Sequence, residues 1–255
     1  MTENGIKTGI RFRLRFTAFE WFLVLGIVCF NVVYSVLQKE INVIGSTAAI
    51  CGVVCVVLCA QGNILNYVFG LVNVSLYAYI SYKSNLLGDA ALNAFYYVPM
   101  QFIGWFTWLK HKQSPESTQV QARVLSNSNR IVLGAVYIAL VVGFGFLLSF
   151  LKGNIGNYPS IERYHLYSQY PYKDAITTMS AIIAQFLMAR AIMEQWVLWI
   201  IMDVVELVIW VMFWLDGEPN AVLMVGMYIF YTINAVNGFI QWNRNYSRKA
   251  KPVEA

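Results

Sequence analysis

The stretch Asn63-Ile64-Leu65-Asn66-Tyr67-Val68-Phe69-Gly70-Leu71-Val72-Asn73-Val74-Ser75-Leu76-Tyr77 places Asn63, Asn66, Gly70, Asn73 and Tyr77 at steps of three and four. Such steps align on one face of an α-helix. The remaining residues are apolar enough for a bilayer interior. An amide side chain is costly there unless it meets a partner or a water-filled cavity. A second stretch carries Trp196, Trp199, Asp203, Glu206 and Trp210, each 133 residues after its counterpart. Two polar faces in one register, both inside apolar segments, read as walls of a solute path.

Composition agrees. Of 255 residues, 58% are hydrophobic and 12% charged. Runs of about 20 apolar residues, long enough to cross a bilayer, fall at 19–38, 43–60, 63–82, 90–109, 131–151, 174–193, 195–215 and 219–241. The expected fold is an all-α membrane protein with eight transmembrane helices. The first run follows Arg11, Arg13 and Arg15, but it is too long for a signal peptide and lacks a small-x-small cleavage site. It is read as a retained helix.

Further identities extend the repeat. Tyr97, Gly104 and Trp108 recur as Tyr231, Gly238 and Trp242, 134 residues on. Spans 2–4 then correspond to spans 6–8 in the same direction, and the arrangement is 1 + (3+1+3): two parallel three-helix repeats joined by a linker helix. The segments are an N-terminal tail and extra span (1–42), repeat 1 (43–109), a cytoplasmic loop, linker and outer loop (110–173), repeat 2 (174–243) and a basic tail (244–255). The linker has Tyr137 and Ser149 as its polar side chains, and a small-residue seam of Ala135, Ala139 and Gly143 suited to close helix packing. The outer loop holds Tyr158, Tyr164, Tyr167, Tyr170 and Tyr172 and reads as an interfacial segment.

Thirteen Lys and Arg fall on the side of the termini and five on the other. This bias places both termini in the cytoplasm and accounts for the net charge of +5 without nucleic acid. Cys51, Cys55 and Cys59 share a helical face, but no acidic or His residue accompanies them. Packing is the reading, with no metal and no cofactor.

The chemistry sits on the polar faces. Span 4 presents Tyr97, Gln101, Trp105 and Trp108; span 6 presents Asp174, Thr178 and Gln185; span 8 presents Tyr231, Asn234 and Gln241, flanked by Asn237. Asp203 and Glu206 are ionisable groups at mid-span. They fit recognition of a cation or of hydroxyls, or carriage of a proton. Trp105 and Trp199 offer indole faces for a flat or cationic ring. Asn66, Asn73 and Gln101 offer donors and acceptors for an amide or a ribose. There is no phosphate-binding loop and no H-E-x-x-H, and His111 and His165 lie in loops, so an enzyme is not expected.

These residues form motifs that resemble a known family. Asn66 through Val74 is similar to the N-Y-x-x-G-L-x-N-V motif of the PnuC nicotinamide riboside transporters. Gly104-Trp105-Phe106-Thr107-Trp108 is similar to that family's G-W-[YF]-x-W. The run from Asp174 through Met188 and Arg190 to Glu194-Gln195-Trp196-Val197-Leu198-Trp199 resembles its D…L-M-x-R…E-x-W-x-x-W. Asn237, Gly238 and Trp242 match the closing N-G-x-x-x-W. The resemblance implies a SWEET-like fold in a bacterial inner membrane. It also implies facilitated diffusion of nicotinamide riboside, trapped inside by a separate cytoplasmic kinase. On it, Asn66, Asn73, Gln101, Trp105, Trp196, Trp199 and Asn237 surround the solute. The sequence departs from the family at Asp203, where Asn is familiar, and at Glu206, where a small polar residue is. Nicotinamide riboside is a flat pyridinium cation with an amide and a ribose, which suits the residue types above. The surface left by spans 1 and 5 suits a homo-oligomer, expected to be a trimer in the lipid bilayer. Two other readings stay open: a proton-coupled carrier of a related nucleoside, vitamin or sugar using Asp203 or Glu206, and a membrane receptor that binds without transport.

Overall fold

The computed structural model describes residues 16–38, 43–155, 170–217 and 221–250. The tail arginines Arg11, Arg13 and Arg15 and the loop tyrosines Tyr158, Tyr164 and Tyr167 lie outside them. The described residues are helical, with β-pairing limited to isolated bridges. The helices are α1 (Ala18–Gln38), α2 (Val43–Ala60), α3 (Asn66–Lys83), α4 (Leu87–Leu92), α5 (Val98–Lys110), α6 (Asn127–Ile155), α7 (Pro171–Ala189), α8 (Gln195–Leu215) and α9 (Ala221–Ala250). A π-helical turn, Asn93–Tyr97, joins α4 to α5. The wide turn accommodates Pro99, which has no N–H to give to the helical ladder. Among the described residues, Val43–Ala60, Asn127–Asn154 and Gln195–Leu215 are long and apolar enough to cross a membrane, and Ala18–Phe30 is a shorter apolar helix. The basic segment expected as a tail from 244 is helical through Ala250.

Packing closes a ring. α2 lies on α3, α3 on α5, α5 on α7, α7 on α8, α8 on α9, and α9 returns to α2. α1 packs outside on α2 and α9, and α6 packs on α7. The Tyr137 hydroxyl of α6 meets Ser180 of α7 at 3.0 Å. The seam expected on this helix does not serve that contact. Ala135, Ala139 and Gly143 have no part in it, whereas Gly145 is the glycine pressed against Tyr172 of α7.

The two turns inside the ring are built alike. At the end of α2, Asn63 N–H donates to Leu58 O and Gly62 N–H to Cys59 O; at the end of α7, Ile192 N–H donates to Leu187 O and Ala191 N–H to Met188 O. Both are helix stops with a left-handed residue, Gly62 at φ 67° and Ala191 at φ 56°. Ala191 is buried, and it keeps this conformation despite the Cβ penalty. The turns match at 129 residues, from 62 to 191, and so do the starts of α3 and α8. The polar stripes read at 133 are therefore one helical turn out of place. The same face is matched, but Gln195, not Trp196 or Trp199, stands opposite Asn66. Tyr67 pairs with Trp196 and Tyr77 with Glu206. The offset grows to 134 by α5 and α9, partly because α8 has 21 residues against 18 in α3.

The loop after α5 binds both turns. Ile64 N–H donates to Thr118 O and Val120 N–H to Gly62 O, while Arg123 N–H donates to Ala191 O and Met193 N–H to Arg123 O. Beneath it sit Tyr67, Trp108, Trp196 and Trp242, each 2% exposed or less. Tyr67 meets Trp108 edge-on at 5.0 Å, Trp196 meets Trp242 at 6.0 Å, and Trp108 of α5 meets Trp242 of α9 at 5.7 Å. Trp108 and Trp242 each cap the end of the next helix around the ring, α7 and α2 respectively. Trp108 Nε1–H donates to Met188 O at 2.8 Å, and Trp242 Nε1–H to Cys59 O at 3.0 Å. Glu20 adds a lateral tie. It closes a capping box with Thr17 at the start of α1 and accepts from Gln61 Nε2 at 2.8 Å and Gln241 Nε2 at 3.4 Å.

Gly104 and Gly238 let these rings approach. A Cβ at Gly104 would overlap the Tyr67 ring, and one at Gly238 would meet Trp196 at 2.5 Å. Gly104→Ala and Gly238→Ala are each expected to cost about 1–3 kcal/mol through overpacking. Gly143→Ala, with nothing within 4 Å of the new methyl, is expected to be neutral or slightly stabilising. Thermal unfolding in detergent, followed by circular dichroism, would separate the two groups.

Candidate functional site

Buried polar atoms normally find partners, so those that do not mark places meant for something else. Among the described residues, Asn66 Oδ1, Gln101 Oε1, Gln185 Nε2, Gln195 Nε2, Trp196 Nε1, Asn234 Oδ1 and Asn237 Nδ2 are buried without a hydrogen-bond partner, along with Gln121 Oε1 in the loop. All of these but Gln121 stand on the ring helices α3, α5, α7, α8 and α9. Asn66 and Gln195 hold equivalent positions at the first turns of α3 and α8. One leaves an acceptor open and the other a donor.

The contacts order these groups along the ring. Nearest the loop, Asn66 Nδ2 donates to Asn63 O at 2.7 Å, and the Cys59 thiol lies 4.0 Å from Gln195 Oε1. Farther along, the missing side chain of Gly70 leaves the place filled by Gln101 Oε1, with Cys55 beside it. Asn234 Nδ2 donates to Val56 O at 3.2 Å. Farther still, Tyr231 lies within electrostatic range of Asp203 and Tyr77, and Tyr228 within range of Glu206, Asp203 and Tyr77. Tyr77 of α3 lies within such range of Glu206 of α8, although the two helices are not neighbours around the ring, and it is 48% exposed.

Asp203 is 4% exposed and has no hydrogen-bond or ion-pair partner among the described residues. Glu206 is paired. Lys173, at the start of α7, lies 3.6 Å from its Oε1 and 3.1 Å from Asp174 Oδ1, and the Thr177 hydroxyl donates to Asp174 O at 3.4 Å. The Lys and Arg of the ring helices lie toward their ends: Lys83 and Lys110 close α3 and α5, Lys173 lies near the start of α7, and Arg244, Arg248 and Lys249 lie in the last turns of α9.

Other expected residues are placed differently. Asn73 Nδ2 donates to Ala48 O at 2.8 Å, which ties α3 to α2. Trp196 is packed over Gly238 and against Trp242, so its ring is covered and only Nε1–H is left open. Trp105 and Trp199 are half-buried against the aromatic core near the loop. Asn237 borders an open, mainly apolar groove of about 340 Å³ shared with Phe19 of α1 and Ile233 and Ile240 of α9, on the outer side of the ring. Sequence reasoning passes over Gln195 as a site residue. The turn register of 129 would have paired it with Asn66. It also passes over Lys173 as the counter-charge of Glu206, because the two lie on different helices.

The chain matches known proteins over most of its length. The family model described as nicotinamide mononucleotide transporter matches residues 42–244. The nicotinamide riboside transporter PnuC of Neisseria mucosa is 35% identical over 208 residues, covering 80% of this chain and 73% of the relative. That of Haemophilus influenzae is 28% identical over 217 residues, covering 85% and 86%. A crystal structure of the vitamin B3 transporter PnuC superposes with a TM-score of 0.70 at 32% identity, covering 92% of this chain and 94% of the other. The chain belongs to the nicotinamide mononucleotide transporter family, alongside the PnuC proteins with which it shares fold and sequence.

Proposed function

We propose that this protein carries nicotinamide riboside across the bacterial inner membrane by facilitated diffusion. The observation that carries the reading is the set of buried, unpartnered amide atoms on the ring helices. A nicotinamide amide and ribose hydroxyls supply the donors and acceptors that Asn66, Gln101, Gln185, Gln195 and Asn234 lack. Trp105 and Trp199 lie on the same helices as flat surfaces for the ring. In this reading all eight helical rods span the membrane, with α4 and α5 counted as one. α2–α5 and α7–α9 are two parallel three-helix repeats around the path, and both termini are cytoplasmic. A separate kinase maintains net uptake by phosphorylating the product, and the exposed faces of α1 and α6 serve a homo-oligomer, read as a trimer. The protein itself performs no chemistry on its substrate.

The family description names the mononucleotide and the relatives' names the riboside. The ring's interior favours the riboside. A phosphate calls for an available Arg or Lys in the path, and Lys173 at its edge is already held between Asp174 and Glu206. Purified protein in liposomes should take up nicotinamide riboside and pass the mononucleotide at least about tenfold more slowly. Equal rates would count against the charge argument.

Asp203 gives a second reading some weight, because an unpaired buried carboxylate can take a proton. In that reading the protein is a proton-coupled carrier of a related nucleoside, vitamin or sugar. An imposed pH gradient separates the two. Equilibration without accumulation supports passive flow, and accumulation against a solute gradient supports coupling.

Gln101→Ala and Trp105→Ala should weaken nicotinamide riboside binding by about 1–3 kcal/mol each without unfolding the protein. Calorimetry in detergent measures this, and unchanged affinity in both variants would move the site elsewhere.

A further inference from the structure

Lys173 bridges two carboxylates unequally, lying 3.1 Å from Asp174 and 3.6 Å from Glu206. The shorter contact is made to the more exposed partner, whose side chain is 37% accessible against 14% for Glu206. One turn deeper on α8, Asp203 is more than nine-tenths buried and has no ion-pair or hydrogen-bond partner among the described residues. Tyr77 from α3 and Tyr228 and Tyr231 from α9 lie within electrostatic range of these carboxylates, and Tyr77 is part-exposed. A carboxylate pair beside aromatic rings is the chemistry that receives an organic cation. The Lys173 ammonium occupies one edge of it.

We propose that Asp203 and Glu206, with Tyr77, Tyr228 and Tyr231, form a station for the positively charged ring of the substrate, and that Lys173 is a tethered competitor for the same charge. The proposal rests on the carrier reading above and assigns the charge selectivity of that path. When the cation arrives, Lys173 withdraws onto Asp174, the closer of its partners, and Glu206 and Asp203 share the incoming charge. An uncharged analogue of the same shape has nothing to exchange with Lys173, and leaves Asp203 unpaired. The station therefore distinguishes an oxidised, cationic nicotinamide ring from its reduced, neutral dihydro form, which keeps the same amide and ribose.

The test is a calorimetric titration of the full-length protein in detergent with nicotinamide riboside and with its 1,4-dihydro form. The wild type is expected to favour the cation by about tenfold or more, as for loss of a hydrogen-bonded charge partner. Asp203→Asn, which keeps the shape, should remove most of that preference by weakening cation binding. Lys173→Gln should do the opposite and strengthen cation binding by about threefold or more, which a merely structural role for the lysine would not produce. Should Asp203→Asn fail to fold, Glu206→Gln and Lys173→Gln carry the same contrast. Equal wild-type affinity for the two forms, or a preference unchanged in the carboxylate variants, overturns the station and leaves the carrier reading standing. Absence of binding by both forms overturns the carrier reading, and the station with it.

Discussion

Two helix ends terminate inside the ring, and their freed backbone groups must be paired away from bulk water. An unpaired amide or carbonyl in such a place costs several kcal/mol. The Thr118–Arg123 segment supplies partners for both turns, and the two indoles crossing from α5 and α9 supply the rest. Everything else at this end follows from that need. The rings must come close enough to deliver Nε1–H to the neighbouring helix end, and Gly104 and Gly238 carry no side chain where Tyr67 and Trp196 pack beside them. The indoles pack on one another because their carbonyl acceptors lie on opposite sides of the ring. In the proposed function these paired backbone groups seal the path at this end.

Away from the seal the rule reverses. The same helices that place each turn carbonyl opposite a donor leave Asn66, Gln101, Gln185 and Asn234 each with an atom unpaired. Poor packing does not account for this, since these residues are among the most buried in the chain. A protein that can hold a left-handed Ala191 can also satisfy an amide. In the proposed function the unpaired atoms are the complement of a polar solute. The energy withheld from the empty protein becomes available when the solute arrives.

Much of this is legible in the residue pattern, and the failures have physical causes. Helix positions follow from run length, and the apolar segments fall within a few residues of the observed rods. Asp203 stands out because a carboxylate at mid-span is too costly to keep without a use. The register of the repeat misleads because stripes at steps of three and four coincide again after four residues, so faces alone do not distinguish one turn from the next. The turns do distinguish it, but Gly62 is matched by Ala191, and an alanine gives no hint of a left-handed backbone. The seam on α6 reads as a packing surface because small residues permit close approach. Within this chain α6 turns Tyr137 and Gly145 to α7, and Gly143 of the seam has nothing within 4 Å of an added Cβ. The Lys173–Glu206 pair is invisible in the sequence because no spacing rule relates residues on two helices.

The two ends of the ring differ in what must change for solute to pass. At the carboxylate end, among the described residues, Lys173 pairs with Glu206 at 3.6 Å and has an alternative partner, Asp174, 3.1 Å away, so in the proposed reading exchange there is cheap. At the loop end, passage breaks two indole–carbonyl bonds and the packing between the rings, and each lost buried bond costs about 1–3 kcal/mol. Those bonds are alike: Trp108 reaches the end of α7 and Trp242 the end of α2. Neither can part while the other holds its half in place, so the two halves are expected to separate together. A bound solute assists by pairing Asn66 and Gln195, which sit directly beneath the seal at the first turns of α3 and α8. A ligand can shift a two-state equilibrium only through contacts that differ between the states. These two amides are placed where such a difference arises, since they belong at once to the solute path and to the turns that must move.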